Sequence, residues 1–210
     1  GYETGAVNLS ENHLAYFYYN RQQDPLGLTK GDVNYFLPGT AGQTWEQYGG
    51  TLYGTAFSAV TWSGVVRETI PENGADGKYV PYSQAPTTAY SRDYVVKNVY
   101  FYNYDVNTVK QAIMEHGAVA SSIYMDKEYR NPSAAAYYYP YDDANHGVAI
   151  VGWMDDFPKE YFKEGMQPKN NGAWIVKNSY GTSIHEGGYM YVSYQDASLC
   201  EVVAFDVEKA

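Results

Sequence analysis

Two short apolar runs in the last third of the chain constrain its fold and chemistry more than any other feature. From Asn145 the sequence runs Asn-His-Gly-Val-Ala-Ile-Val-Gly-Trp, and from Ala173 it runs Ala-Trp-Ile-Val-Lys-Asn-Ser-Tyr-Gly-Thr. Both are rich in β-branched and aromatic residues and bounded by turn formers, the pattern of buried strands. One opens on His146 and the other closes on Asn178, 32 residues later, with a polar loop between them long enough to make the strands neighbours. An imidazole at one strand end can take a proton from a thiol. A neutral amide oxygen at the next can hold the second ring N–H without adding charge.

The segments around these runs predict a sheet. Strand-like stretches occur at residues 118–124, 147–153, 173–177, 189–194 and 202–206, after a helix in which Asn107 is the expected cap, Val109, Ala112 and Ile113 face inward and Gly117 is the stop. Five strands without alternating helices argue for antiparallel pairing, as a sheet or barrel. The earlier half reads differently. Ser10 is a plausible N-cap with Glu11 in the first turn, and Leu14, Phe17 and Tyr18 recur at helical spacing, so a short helix is expected to about Asn20. Residues 21–42 are loop-rich, a second helix is expected over 55–62, and 71–93 read as irregular. The expected class is α+β, with a helical and loop-rich region at 1–105 and a β region at 106–210.

Charge narrows the possible functions. A net charge of −10 without a run of Lys and Arg argues against nucleic-acid binding, which needs clustered cations. No apolar stretch approaches the roughly 18 residues of a membrane span. His13, His116 and His185 are scattered without an acidic or Cys cluster at ligand spacing, so no metal site and no cofactor is expected, and their default is surface or local hydrogen bonding. The chain has 25 tyrosines, and those at Tyr16-Phe17-Tyr18-Tyr19 and Tyr137-Tyr138-Tyr139 cluster, where rigid half-exposed packing is the first expectation and a binding platform the second.

Taken together, the His-x-Val-x-x-Val-Gly-Trp run, the Lys-Asn-Ser-Tyr-Gly run and the spacing of Gly152, Gly181 and Gly188 resemble the second half of the papain-like cysteine peptidases. The resemblance implies a two-lobe papain-like fold, helical first and β second, with a substrate cleft between the lobes. It implies His146 as base and Asn178 as its orienter. Tyr180 stands where the family has a Trp shielding the His–Asn hydrogen bond, and Ile184 replaces a second Trp. Tyr48-Gly49-Gly50 resembles the Asn-Gly-Gly wall of the cleft, where Gly49 and Gly50 let an extended peptide pair as an added strand. Asn145 and Gly147 flank the histidine along the cleft, and Ser122 is matched to the floor of the second subsite. The lack of intrachain bridges is nearest to the secreted or cell-wall enzymes of anaerobic Gram-positive bacteria.

The family's nucleophile lies about 130–150 residues before its histidine, and no cysteine stands there. The chain's one cysteine, Cys200, follows both His146 and Asn178 and sits in an apolar run, so it is expected to be a small packed residue. Asn8-Leu9-Ser10-Glu11 is similar to the element that follows the family's catalytic helix. The expectation is a larger chain of a processed endopeptidase, with the N-terminal strand, the oxyanion glutamine and the catalytic cysteine helix on an upstream segment of the same precursor. Two alternatives remain: a non-catalytic papain-fold protein binding peptide or glycan, and a Cys–His acyltransferase or transglutaminase, which would not share the Lys-Asn-Ser motif.

Overall fold

The structure is a computed structural model and describes residues 7–19, 49–60, 65–68, 92–183 and 185–210. The expected loop at 21–42, most of 71–93, and the positions of Tyr48, Trp62 and Ile184 lie outside them. The chain divides into two compact units, Gly1–Val99 with Asp206–Ala210, and Tyr100–Phe205. The expected regions were 1–105 and 106–210; in the structure the last five residues belong with the first unit.

In the first unit α1 (Glu11–Tyr19) begins where Ser10 Oγ accepts the His13 N–H at 3.0 Å. His13 itself is buried, at 1% exposure, contrary to the expected surface position, and its ring lies 4.7 Å from that of Phe17. The second helix, α2 (Leu52–Ala59), starts three residues before the expected position because Thr51 caps it, accepting from the Gly54 N–H. Strand β1 (Tyr94–Tyr102), which the sequence reading did not anticipate, starts in this unit, where the Ala210 N–H donates to Asp93 O at 2.9 Å.

The second unit is built on helix α3 (Val106–His116) and seven strands: β2 (Val119–Ile123), β3 (Arg130–Asn131), β4 (Ala136–Tyr137), β5 (His146–Met154), β6 (Ala173–Lys177), β7 (Tyr189–Ser193) and β8 (Cys200–Lys209), whose last residues pass into the first unit. The cap of α3 is Asp105, not Asn107: its carboxylate accepts the N–H groups of Asn107 and Thr108, the second and third helical residues. Gly117 ends the helix at φ 84°, where a side chain would be strained. β1 adjoins β8 at one edge of an eight-stranded sheet, and within the second unit the strand order is β8-β2-β5-β6-β7-β4-β3. Neighbours run antiparallel except β4 and β7, which are parallel, so the sheet is mixed where a purely antiparallel one was expected. The exception arises from the excursion after β2, whose tyrosine-rich return lays β4 beside β7.

Alternation on β2 and β5 sets the two faces of the sheet. Val119, Ser121 and Ile123 pair with Ile150, Val148 and His146 on the face that packs against Val109, Ala112 and Ile113 of α3. Ala120 and Ser122 pair with Ala149 and Gly147 on the other. Trp174, fully buried, donates its indole N–H to Tyr104 Oη at 2.9 Å, and Tyr104 donates onward to Tyr194 O at 2.8 Å. This satisfied polar pair locks β6 in register. The tyrosines at 137–139 are mostly packing: Tyr137 is fully buried, and Tyr139 stacks on Tyr124 at 4.2 Å.

Candidate active site

The β5–β6 register pairs Ala149 with Lys177, so continuing it past the end of β6 carries Asn178 and Tyr180 toward the start of β5. There His146 Nε2 lies 2.8 Å from Asn178 Oδ1. The same oxygen accepts the Ser179 N–H at 2.8 Å. A backbone N–H can only donate, so the atom facing both groups is the amide oxygen, and His146 must carry its proton on Nε2. Nδ1 is then the nitrogen with the lone pair, the one able to accept a proton.

Asn178 is itself fixed. It is 7% exposed, and its N–H donates to Gly188 O at 3.0 Å. Gly188 has φ 94°, and a Cβ there would stand 3.1 Å from Gly181 O, so any larger residue would strain the turn that holds Asn178. Among the described residues Asn178 Nδ2 is buried without a partner. Leaving such a donor unmet costs about 1–3 kcal/mol. The Tyr180 ring sits 5.0 Å from that of His146 at 34° and covers one side of it, although Tyr180 is still 48% exposed.

The other expected site residues fall into two groups. Asn145, Gly147 and Ser122 lie on the same strands as the histidine. Asn145 Oδ1 accepts the Met125 N–H at 2.7 Å and its own N–H donates to Ile123 O at 2.9 Å, which ties the residue before His146 to the end of β2. Gly147 is exposed, and nothing lies within 4 Å of where its Cβ would stand. Ser122 pairs with Gly147 on one side and Cys200 on the other, and its Oγ donates to Glu201 Oε2 at 2.9 Å. Gly49 and Gly50 belong to the first unit. There Tyr19 donates its hydroxyl to Gly49 O at 2.7 Å, and the Tyr18 ring stands 3.6 Å from a Cβ built on Gly50.

Cys200 is half-buried at the start of β8, not a core residue. Burial, then the Glu201 carboxylate, pushes its thiol upward. It lies two strands from His146, on the face of Ser122 and Gly147, whereas His146 pairs with Ile123 on the opposite face. Glu201 and the Ser179 N–H were not singled out from sequence, and only the bulged backbone at Glu201 brings its carboxylate to Ser122. His185, at φ 59°, lies beside Arg130, and burial holds its imidazole below the usual histidine range. No group of His, Cys, Asp and Glu among the described residues could hold a metal ion.

A strand-end imidazole, fixed by a neutral amide and flanked by an aromatic ring, defines the class. Residues 44–208 match the papain family cysteine proteases, and the chain belongs to that family. It is 24% identical over 172 residues to procathepsin L of Felis catus, covering 76% of this chain and 46% of the relative. Its fold is that of the clostridial cysteine protease Cwp84 after propeptide cleavage, at TM-score 0.78 and 27% identity over 98% of this chain and 48% of the other. The cysteine protease and lectin-like domains of Cwp84, a surface layer associated protein of Clostridium difficile, give TM-score 0.77 at 28% identity, covering 98% of this chain and 43% of the other. The chain thus spans less than half the length of each of these relatives. The fold class expected from sequence, α+β and papain-like, is the one observed.

Proposed function

We propose that this chain supplies the base and its orienter to a cysteine endopeptidase whose nucleophilic thiol is carried by an upstream, Cys-bearing segment of the same precursor. The observation that carries the reading is the His146–Asn178 contact with the Ser179 N–H on the same oxygen, because it selects the tautomer that leaves Nδ1 to act. Nδ1 accepts the thiol proton, and the thiolate attacks the peptide carbonyl carbon. The imidazolium then gives its proton to the leaving amine as the C–N bond breaks, forming a thioester. Water, deprotonated by Nδ1, attacks the thioester and returns the thiol. Asn178 keeps the ring in place without competing for the proton, and Tyr180 limits water around their hydrogen bond. Asn145, Gly147 and Ser122, on neighbouring strands of the second unit, lie along the path of an extended peptide in this reading.

Similarity to a surface layer associated protease supports a secreted or cell-wall location in a bacterium. The separate segment is favoured because Cys200 is the chain's one cysteine and its sheet position and raised thiol suit it poorly to His146. The test is intact mass, N-terminal sequencing and iodoacetamide mapping of the natively produced protein. The expected result is a second Cys-bearing stretch whose alkylation near neutral pH depends on His146. Peptide hydrolysis by the 210-residue chain alone would overturn the reading.

A further inference from the structure

The turn that holds Asn178 carries a histidine in a conformation that favours glycine. His185 has φ 59°, and Gly187 and Gly188 follow at 65° and 94°, so the stretch from 185 to 188 is wound largely left-handed. A side chain persists there only where its surroundings fix it, and outliers of this kind gather at functional sites. Arg130 Nη1, from β3, stands 3.5 Å from His185 Nδ1. A guanidinium can only donate, so Nδ1 is the acceptor and the ring proton sits on Nε2, which is buried and lacks a partner among the described residues. The chain neighbour Glu186 is committed elsewhere, its carboxylate accepting the Tyr191 hydroxyl of β7 at 3.2 Å. Glu186 and Tyr189 exchange backbone hydrogen bonds at 3.1 and 3.2 Å, and Gly188, enclosed between them, accepts the Asn178 N–H. His185 thus stands against β3 on one side and, through the short stretch to Gly188, against the orienter on the other.

We infer that His185, seated on Arg130, is a positioning residue for the catalytic pair: its neutral imidazole holds the 178–188 turn closed behind Asn178, and a second ring proton releases it. This rests on the peptidase reading above. A proton on Nδ1 would set a donor against a donor and two cations 3.5 Å apart. Burial, then the Arg130 charge, holds the imidazole below the usual histidine range, so the closed turn takes the proton less readily than an open one. The hold is therefore complete above the ordinary histidine value of about 6.5 and weakens as pH falls below it.

The test uses the assembled peptidase, with kcat and KM for one peptide followed on the acid side of neutrality and the ring nitrogens of His185 followed by NMR. In the wild type His185 is expected as the Nε2–H tautomer titrating below about 6.5, with kcat falling in step and KM changing little. His185→Asn keeps an oxygen for Arg130 and tolerates a left-handed φ but cannot titrate, so it should turn over within about twofold of wild type at neutral pH and lose several-fold less in acid. Arg130→Leu, which removes the seat, should lower kcat roughly 3- to 10-fold at neutral pH, and Arg130→Lys should restore part of it. Superimposable pH profiles for wild type and His185→Asn, or a His185 that titrates at or above about 6.5, overturn the inference, while cleavage that depends on His146 leaves the peptidase reading standing. Should no peptide be cleaved, and thiol alkylation be indifferent to His146, the peptidase reading falls and the inference with it.

Discussion

The sheet of the second unit presents two reactive-looking residues near strand ends, His146 on β5 and Cys200 on β8, and treats them in opposite ways. His146 has an acceptor whose identity is enforced by a backbone N–H, an aromatic cover, and a flanking residue bound to the next strand. Cys200 has a half-buried setting and a carboxylate beside it, both of which keep the thiol protonated. Residue type is therefore a poor guide to chemistry in this molecule. What separates the two is whether neighbouring backbone groups commit a partner's geometry.

The comparison breaks most decisively at the histidine. In the assembled enzyme His146→Ala should lower peptide hydrolysis by at least the 10²–10⁴-fold of a general base, and should slow alkylation of the nucleophilic thiol near neutral pH. Asn178→Ala should retain partial activity, since the base survives and only its orientation is lost. Equal, small effects in kcat/KM from both substitutions would mean that the pair does no proton transfer and would favour a binding protein.

Next in size is the turn behind the orienter. Gly188→Ala places a side chain at φ 94° against Gly181 O, and the strain expected is on the order of 1–3 kcal/mol. Because Asn178 is bonded to Gly188 O, activity should fall in molecules that remain folded. Thermal melting alongside turnover per folded molecule separates the two effects. An unchanged melting temperature and unchanged turnover would show that the turn does not hold Asn178.

Much of this site was legible because its residues are local to strand signals. His146 and Asn178 stand at the ends of runs whose periodicity and turn residues define them. Gly188 announces a turn by its lack of a side chain. What was not legible depended on long-range pairing or on competition between caps. Asp105 displaced Asn107 because its carboxylate reaches two N–H groups, and Thr51 moved α2 by three residues for a related reason. β1 carries a polar and aromatic mixture, Tyr-Val-Val-Lys-Asn-Val-Tyr-Phe-Tyr, with half-buried and exposed positions and no clean alternation, so no period marked it. The contact of Glu201 with Ser122 was invisible because it follows from a one-residue slip between strand positions 79 residues apart.

A subtler contrast lies in pH. Asp196, 3% exposed, anchors the loop leading to Cys200 by accepting the Tyr139 N–H at 2.7 Å and both the N–H and hydroxyl of Ser198. Burial pushes its carboxyl up to about 6, against the lowering effect of those three donors. A raised folded-state value means that the folded protein binds this proton more tightly than the unfolded chain. Stability contributed by that proton is present at low pH and is lost as pH rises from about 4 through about 6. The expected loss, on the order of 1–3 kcal/mol, should be absent in Asp196→Asn when denaturant midpoints at pH 4.5 and 7 are compared. An identical pH dependence in both proteins would show that Asp196 stays ionised throughout.

The smallest effect expected is at Cys200, and it tests the contrast from its inert side. Replacing its sulfur by oxygen puts a hydroxyl in a half-buried position beside Ser122 and Glu201, where hydrogen-bond partners are at hand, so Cys200→Ser should cost less than about 1 kcal/mol of stability. Turnover per folded molecule should not follow the loss of the thiol, because Cys200 lies two strands from His146 and pairs on the opposite face. Iodoacetamide should modify it slowly at pH 7, since the Glu201 carboxylate opposes formation of a thiolate and burial opposes it further. Peptide mapping of the alkylated chain against residual activity decides the matter. Fast modification at Cys200 in step with loss of hydrolysis would place the nucleophile on β8, and the distinction between the two strand ends would collapse.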